Sequence, residues 1–327
     1  MSDDGPDALL TTDPARAADA LRAGRLAVLP TETVYGLGAL ASRPDAVARV
    51  YAVKGRPADH PLIVHLADPA QVDDWAIDVP DYAHRLAARL WPGSLTLVLP
   101  RGTRAGLHLT GGQQSVGLRV PDHPLTLEVL RSVADGVAAP SANLFGRVSP
   151  TTAQHVVAEL AAALTPGADV ILDGGPCRVG VESTILDCTG PAPVLLRPGG
   201  VGVEVVESVG GVPLARTTST VRAPGTLASH YAPHARVILV SAPGLAATAA
   251  GDATETPRTG VLALASVGTP PGTVRLSAPP SPAQYASVLY AALREADALG
   301  LAQVLAVAPD GSGIAAAVRD RLTRAAH

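Results

Sequence analysis

Short apolar runs bounded by Gly, Pro, Asp or Asn recur along the chain and alternate with longer segments in which Ala, Leu and Val return at helical spacing. A short run of this kind fits a buried strand, whereas a helix needs about ten residues to present a full apolar face. The strands predicted this way are Arg25–Leu29, Pro61–Leu66, Leu95–Leu99, Val116–Val120, Val137–Ala139, Val170–Leu172 and Ser183–Asp187. Three more follow, at Arg236–Val240, Gly260–Leu264 and Gln303–Val307. Asp13-Pro14 opens an alanine-rich helix that Gly24 ends, because Asp caps, Pro suits the first turn and Gly suits the exit. Asp45–Val53 has helical spacing with Gly55 past its end, and Leu125–Val133 makes another helix. The Ser149-Pro150-Thr151-Thr152 cluster reads as the cap of a helix running to about Leu164. Tyr285–Leu299 and Gly313–Ala326 are the last helices.

This alternation predicts an α/β fold with a mixed sheet, followed by a smaller α/β unit. From about Ser208 to Pro233 the chain is rich in Gly, Pro, Thr and Ser without sustained periodicity. The predicted division is therefore residues 1–207, a connector at 208–235, and a second domain at 236–327. A structureless stretch of that length is usually functional or disordered.

Composition narrows the class. The chain has 327 residues, 47% hydrophobic and 17% charged, with no apolar run long enough to span a bilayer, which describes a soluble globular protein without a membrane partner. The acidic start, Met1 to Asp7, lacks the basic and apolar regions of a signal peptide, so a cytoplasmic location is expected. Net charge of −4 argues against a surface that coats nucleic acid, while leaving room for a local basic cavity. Cys177 and Cys188 have neither metal-ligand spacing nor a CxxC pair and read as free buried thiols.

Among 25 basic residues only Lys54 is lysine, within Val53-Lys54-Gly55-Arg56-Pro57. A chain that writes every other such charge as Arg but keeps one amine here points to a compact group that a guanidinium fork cannot replace, and phosphate chemistry is the natural use. The alternative is a charge complementing a helix C-terminus, which Arg would serve equally well. Gly36-Leu37-Gly38-Ala39-Leu40-Ala41 has the glycine spacing of a dinucleotide fingerprint, but Pro30 to Tyr35 intervene between strand and first glycine. Thr31 with Thr33, and Ser141 with Asn143, share a face if their segments are extended, although each pair is also ordinary turn chemistry. Arg119 in a strand requires an anionic partner, from substrate or protein. His60 and His65 fall on opposite faces of an extended strand, and Pro233 breaks the helix that His230 and His234 would need to share a metal.

Taken in order, Pro30-Thr31-Glu32-Thr33-Val34-Tyr35-Gly36-Leu37-Gly38, Lys54-Gly55-Arg56-Pro57, Pro61-Leu62-Ile63-Val64-His65, Pro140-Ser141-Ala142-Asn143, Glu182-Ser183-Thr184-Ile185 and Leu196-Arg197-Pro198-Gly199 resemble the threonylcarbamoyl-AMP synthase family. The later Ala223-Pro224-Gly225 and His230-Tyr231-Ala232-Pro233 are similar to its long, two-domain form. A departure is His60, where the family pattern leads one to expect Asn. The resemblance implies a YrdC-type catalytic domain with a twisted mixed sheet, joined to a smaller Rossmann-like C-terminal domain. It implies a nucleotidyltransferase that joins L-threonine, bicarbonate or CO₂, and ATP, releasing pyrophosphate, toward the threonylcarbamoyl adenosine of transfer RNA at position 37. Lys54, Arg56, Ser141 and Asn143 are the implied catalytic and ATP-binding residues, with Ser149, Arg197 and Tyr231 also on ATP. Thr31, His65, Arg119 and Ser183 are implied for threonine. Tyr231 either closes over ATP or anchors one domain to the other. Mg²⁺ is expected on the ATP phosphates, without a protein metal site. Downstream threonylcarbamoyl transferase proteins are implied partners, with transfer RNA met indirectly. Two other classes fit parts of the pattern: an RNA-binding protein using the same cavity, and a carbamoyltransferase-type maturation factor, whose zinc-finger CxxC sets this chain lacks.

Overall fold

The computed structural model describes residues 6–227, 230–250 and 259–327. The acidic start at residues 1–5 and Ser229 of the connector lie outside the described residues. The strands are β1 (Leu10–Thr11), β2 (Ala27–Leu29), β3 (Gly36–Leu40), β4 (Ile63–His65), β5 (Leu95–Pro100), β6 (Ser115–Arg119), β7 (Val137–Ala138), β8 (Val170–Leu172), β9 (Thr184–Asp187) and β10 (Val194–Arg197). They form a ten-stranded sheet in the order β1-β8-β2-β3-β7-β4-β6-β5-β9-β10. Parallel pairs such as β4 with β6 and β5 with β9 sit beside antiparallel ones such as β5 with β6, so the sheet is mixed as expected. Four further strands, β11 (Arg236–Leu239), β12 (Thr259–Leu262), β13 (Val274–Ser277) and β14 (Gln303–Ala306), form an all-parallel sheet in the order β11-β14-β12-β13.

The apolar runs do become strands because the central ones are buried on both faces: Leu95, Leu97 and Leu99 on one face of β5 are fully covered, and Thr96 and Val98 on the other are buried as well. Each such side chain contributes about 1.5–3 kcal/mol of apolar burial. The glycine-rich segment Gly36 to Leu40 is a strand, not a nucleotide loop. A Cβ on Gly38 would meet the Ala27 carbonyl at 2.8 Å and a Val137 methyl at 2.9 Å, so glycine here lets β2, β3 and β7 lie close. Helix Pro14–Arg22 has the expected Asp13 cap, and helix Pro44–Lys54 exits through left-handed Gly55. The predicted helix after Ser149 starts later, at Ala153, capped by Thr152, and ends at Leu160 before a 3-10 turn at Ala161–Ala163. Ser149 precedes Pro150, whose ring disfavours a helical residue before it. Helices Asp81–Leu90 and Val203–Gly210, which pack together, escaped the sequence reading, as did β1, β3, β10 and β13. From Gly211 to Ala235 the described residues contain no helix or strand, yet Ser219 bonds Asp187 and the backbone of Arg222 is bracketed by the Gln113 amide, which both accepts from its N–H and donates to its carbonyl. No helix among the described residues is long and apolar enough to cross a membrane.

Candidate active site

The mixed sheet brings its polar residues to one cavity of about 60 Å³. His65 and Arg119 end the adjacent parallel strands β4 and β6 and are direct register partners. Such strand ends are where α/β proteins place ligands. Thr31 and Thr33 come from the bend between β2 and β3, not from an extended segment, and their hydroxyls lie 2.8 Å apart. Ser141 follows β7 and bridges to Gly36, Ser183 precedes β9, and Arg197 ends β10. All of these line the cavity, together with Arg56 and Glu182.

The anionic partner that Arg119 needs is a protein carboxylate. Arg119 Nη2 donates to Glu32 Oε1 at 2.6 Å, Nη1 to Thr33 Oγ1 at 3.0 Å, and Nε to the Gly93 carbonyl at 3.1 Å. Burial would raise the pKa of Glu32, but the Arg119 charge and hydrogen bond outweigh it and hold the carboxyl below its ordinary value. Ser94 and the Asp122 N–H also donate to Glu32, so the carboxylate is fully engaged. A guanidinium has five N–H groups and three are used here, which leaves two uncommitted on a residue that lines the cavity. His65 is buried, and neither ring nitrogen makes a hydrogen bond of good geometry. Burial, reinforced by Arg119, lowers its pKa to about 3, so the ring is neutral.

Connector residues Pro224, Gly225, His230 and Tyr231 close the other side. Arg197 ties this roof down: Nη1 donates to the Pro224 carbonyl at 3.0 Å, while Nε and Nη2 hold the Ser183 carbonyl. Tyr231 adopts a left-handed backbone, φ 63°, rare for a bulky residue and found where surrounding structure imposes it. Its hydroxyl and His230 Nδ1 are buried and unpartnered, as is Arg56 Nε. All three residues line the cavity, and an unpaired buried polar atom is a group that a polar ligand could satisfy. Arg56 otherwise donates to the Pro61 carbonyl, and burial lowers its pKa to about 10.

Two family models match the chain: one described as "Telomere recombination", covering residues 19–199, and one described as "Threonylcarbamoyl-AMP synthase, C-terminal domain", covering residues 201–327. The chain belongs to the threonylcarbamoyl-AMP synthase family. Relatives bearing that name include one from Bacillus subtilis, 46% identical over 71% of this chain and 68% of its own length. Another, from Pyrococcus abyssi, is 45% identical over 69% of this chain and 67% of its own. The crystal structure of P. abyssi Sua5 complexed with L-threonine superposes with a TM-score of 0.87 at 38% identity, covering 96% of this chain and 94% of that one.

In this threonylcarbamoyl-AMP synthase family member, Thr31, Arg56, His65, Arg119, Ser141, Ser183, Arg197 and Tyr231 all line the cavity. Lys54, Asn143 and Ser149 stand behind its wall. Lys54 is buried, with Nζ donating to the carbonyls of Ser141 and Asn143, both at 2.5 Å, and it thereby shapes the loop from which Ser141 faces the cavity. Burial, with repulsion from Arg56, lowers its pKa to about 7. The Asn143 amide donates to the carbonyls of Leu144 and Arg147, so Ser141 and Asn143 do not present one shared face to the cavity. Ser149 is not the helix cap expected from sequence, since the helix begins at Ala153 with Thr152 as its cap; the Ser149 hydroxyl donates to Glu182 at 2.7 Å. Sequence reasoning missed Glu32 and Glu182 as organising carboxylates, although both lie inside the motifs that carried the resemblance. It gave His230, which lines the cavity, no ligand-binding role beyond the metal pair it set aside. His60 packs edge-on against Phe145 at 5.2 Å. No group of three His, Cys, Asp or Glu side chains among the described residues is placed to hold a metal ion.

Proposed function

We propose that this protein condenses L-threonine, bicarbonate or CO₂, and ATP into threonylcarbamoyl-adenylate with release of pyrophosphate, as the first step toward threonylcarbamoyl adenosine at position 37 of transfer RNA. One observation carries the reading: a single cavity pairs a braced Arg119 fork, with two N–H groups to spare for a carboxylate, with the cations Arg56 and Arg197 beneath a connector roof. The threonine carboxylate takes Arg119, while Thr31, His65 and Ser183 receive the rest of the amino acid. The threonine amine captures CO₂ as a carbamate, and a carbamate oxygen attacks the α-phosphorus of ATP, expelling pyrophosphate. This is nucleotidyl transfer, which needs positioning and charge neutralisation more than a protein nucleophile.

Arg56 and Arg197 neutralise phosphate oxygens, Ser141 and Tyr231 offer hydroxyls, and Lys54 and Asn143 hold the Ser141 loop to its shape, with Ser149 bracing the wall through Glu182. Mg²⁺ enters on the phosphates as part of the substrate, keeping most of its water. Pro224, Gly225, His230 and Tyr231 of the connector line the cavity and are placed to cover ATP bound there. Closure excludes water from the labile mixed anhydride. The product passes to transferase proteins acting on transfer RNA. The test is pyrophosphate release with ATP, Mg²⁺, L-threonine and bicarbonate, each omitted in turn; release that ignores the omission of threonine or bicarbonate rejects the reading.

A further inference from the structure

Glu182 lies on the cavity wall directly before Ser183, and its carboxylate is buried. It takes three side-chain donors: the Ser149 hydroxyl on Oε1 at 2.7 Å, and on Oε2 the Tyr290 hydroxyl at 2.8 Å and Arg321 Nε at 2.7 Å. Only Ser149 precedes the connector. Tyr290 belongs to helix Pro282–Ala298 and Arg321 to helix Ile314–Ala325, which pack together against the four-stranded sheet. Two thirds of the bonding that keeps this wall residue charged and oriented therefore crosses from the second unit.

Arg321 is no surface pair, because its side chain is 0% exposed. Its remaining nitrogens bond the Pro198 carbonyl at 3.0 Å and Asp320 at 2.5 Å. Its guanidinium carbon sits 5.1 Å from the centre of the Tyr231 ring, and that ring stacks on Tyr290 at 5.7 Å. The same two residues thus grip a cavity wall and a cavity roof. Arg197, the other cation beside Glu182, is committed to Ser183 and Pro224 and does not bond the Glu182 carboxylate. Removing Arg321 would leave a buried carboxylate facing the space where phosphates must enter, with its main counter-charge gone.

We propose that Arg321 and Tyr290 are positioning residues of the cavity, through which the small-sheet unit holds Glu182 and Tyr231 in the geometry that receives ATP. This rests on the reading of the cavity as one that takes both ATP and L-threonine. The test uses full-length Arg321→Met, Glu182→Gln and the double variant, with ATP and L-threonine affinities measured separately by calorimetry. Arg321→Met is expected to weaken ATP at least tenfold while L-threonine stays within threefold. The double variant is expected to return ATP affinity to within threefold of Glu182→Gln alone, because the uncompensated carboxylate is gone. Unchanged ATP affinity in Arg321→Met, equal loss of both ligands, or losses that multiply in the double variant each overturn the proposal. If Arg321→Met does not fold, Tyr290→Phe replaces it: the ring packing stays, one donor to Glu182 is lost, and a drop of about threefold in ATP affinity is expected, with no drop counting against it. If the unaltered protein binds L-threonine but not ATP, the functional reading fails first, and the coupling is judged on thermal midpoints of the same variants, where additive losses overturn it.

Discussion

Lys54 Nζ donates to the carbonyl of Ser141 at 2.5 Å, placing the one lysine of the chain behind the cavity wall that Ser141 lines. A buried amine between two carbonyls is compact, and a planar guanidinium would have to push the loop aside to fit. Lys54→Arg is expected to lower turnover at least tenfold although it keeps a basic side chain. Near-normal pyrophosphate release by a folded Lys54→Arg protein would refute this.

The same burial makes a prediction about pH. Lys54 has a folded pKa of about 7 against an ordinary 10.5, so between those values the unfolded chain binds more protons than the folded one. Stability contributed by this site therefore rises as pH climbs from about 7 toward 10. Denaturant unfolding at a series of pH values, for the unaltered protein and Lys54→Met, should show their difference moving in favour of lysine across that window; a flat difference contradicts the assignment.

Arg119 and Glu32 form a buried pair, and taking away one member strands the other. Arg119→Ala is expected to cost about 3–5 kcal/mol of stability and to abolish measurable L-threonine binding. Arg119→Ala/Glu32→Gln should recover part of the stability, because no carboxylate is left stranded, but none of the threonine affinity, because the carboxylate of the amino acid still lacks the fork. Calorimetry with each ligand, beside urea unfolding, separates the two effects, and threonine affinity regained in the double variant would count against the assignment.

Gly225 has φ 74°, and a Cβ there would run into the Tyr231 hydroxyl and come within 2.9 Å of Arg197 Nη1. Gly225→Ala is expected to prop the roof open, lowering ATP-dependent synthesis more than tenfold while the cavity floor still binds L-threonine. Threonine affinity lost to the same degree would mean that the substitution damages the fold and not the roof.

Connector closure has its own signature. Amide exchange at residues 220–227 and 230–235 should slow when ATP and L-threonine are both present. Truncation before Ala223 should impair synthesis, because it removes the roof and both donors from the small-sheet unit to Glu182. Unchanged exchange at saturating ligand, together with full activity of the truncated chain, would sink the lid.

By itself the sequence determined what depends on local pattern. Strands such as Leu95–Pro100 and Val170–Leu172 were legible because short apolar runs buried on both faces admit little else, and helix Pro14–Arg22 because Asp13 and Pro14 mark its start. The ordered motifs contain most of the polar residues that line the cavity, among them Thr31, Arg56, His65, Ser141, Ser183 and Arg197. Strand β3 was hidden because its glycines serve close packing against neighbours distant in sequence, and β10 because its apolar residues, Val194 to Leu196, are only partly buried. What only the tertiary structure decided is which side of the cavity wall each residue occupies. Lys54, Asn143 and Ser149 turn away from the space that Arg56, His65 and Ser141 face, and Arg119 finds its carboxylate in Glu32, 87 residues earlier. Residues Tyr290 and Arg321 reach Glu182 across 108 and 139 positions of sequence. No local pattern encodes such pairings, because a buried charge is satisfied by whatever the fold carries to it.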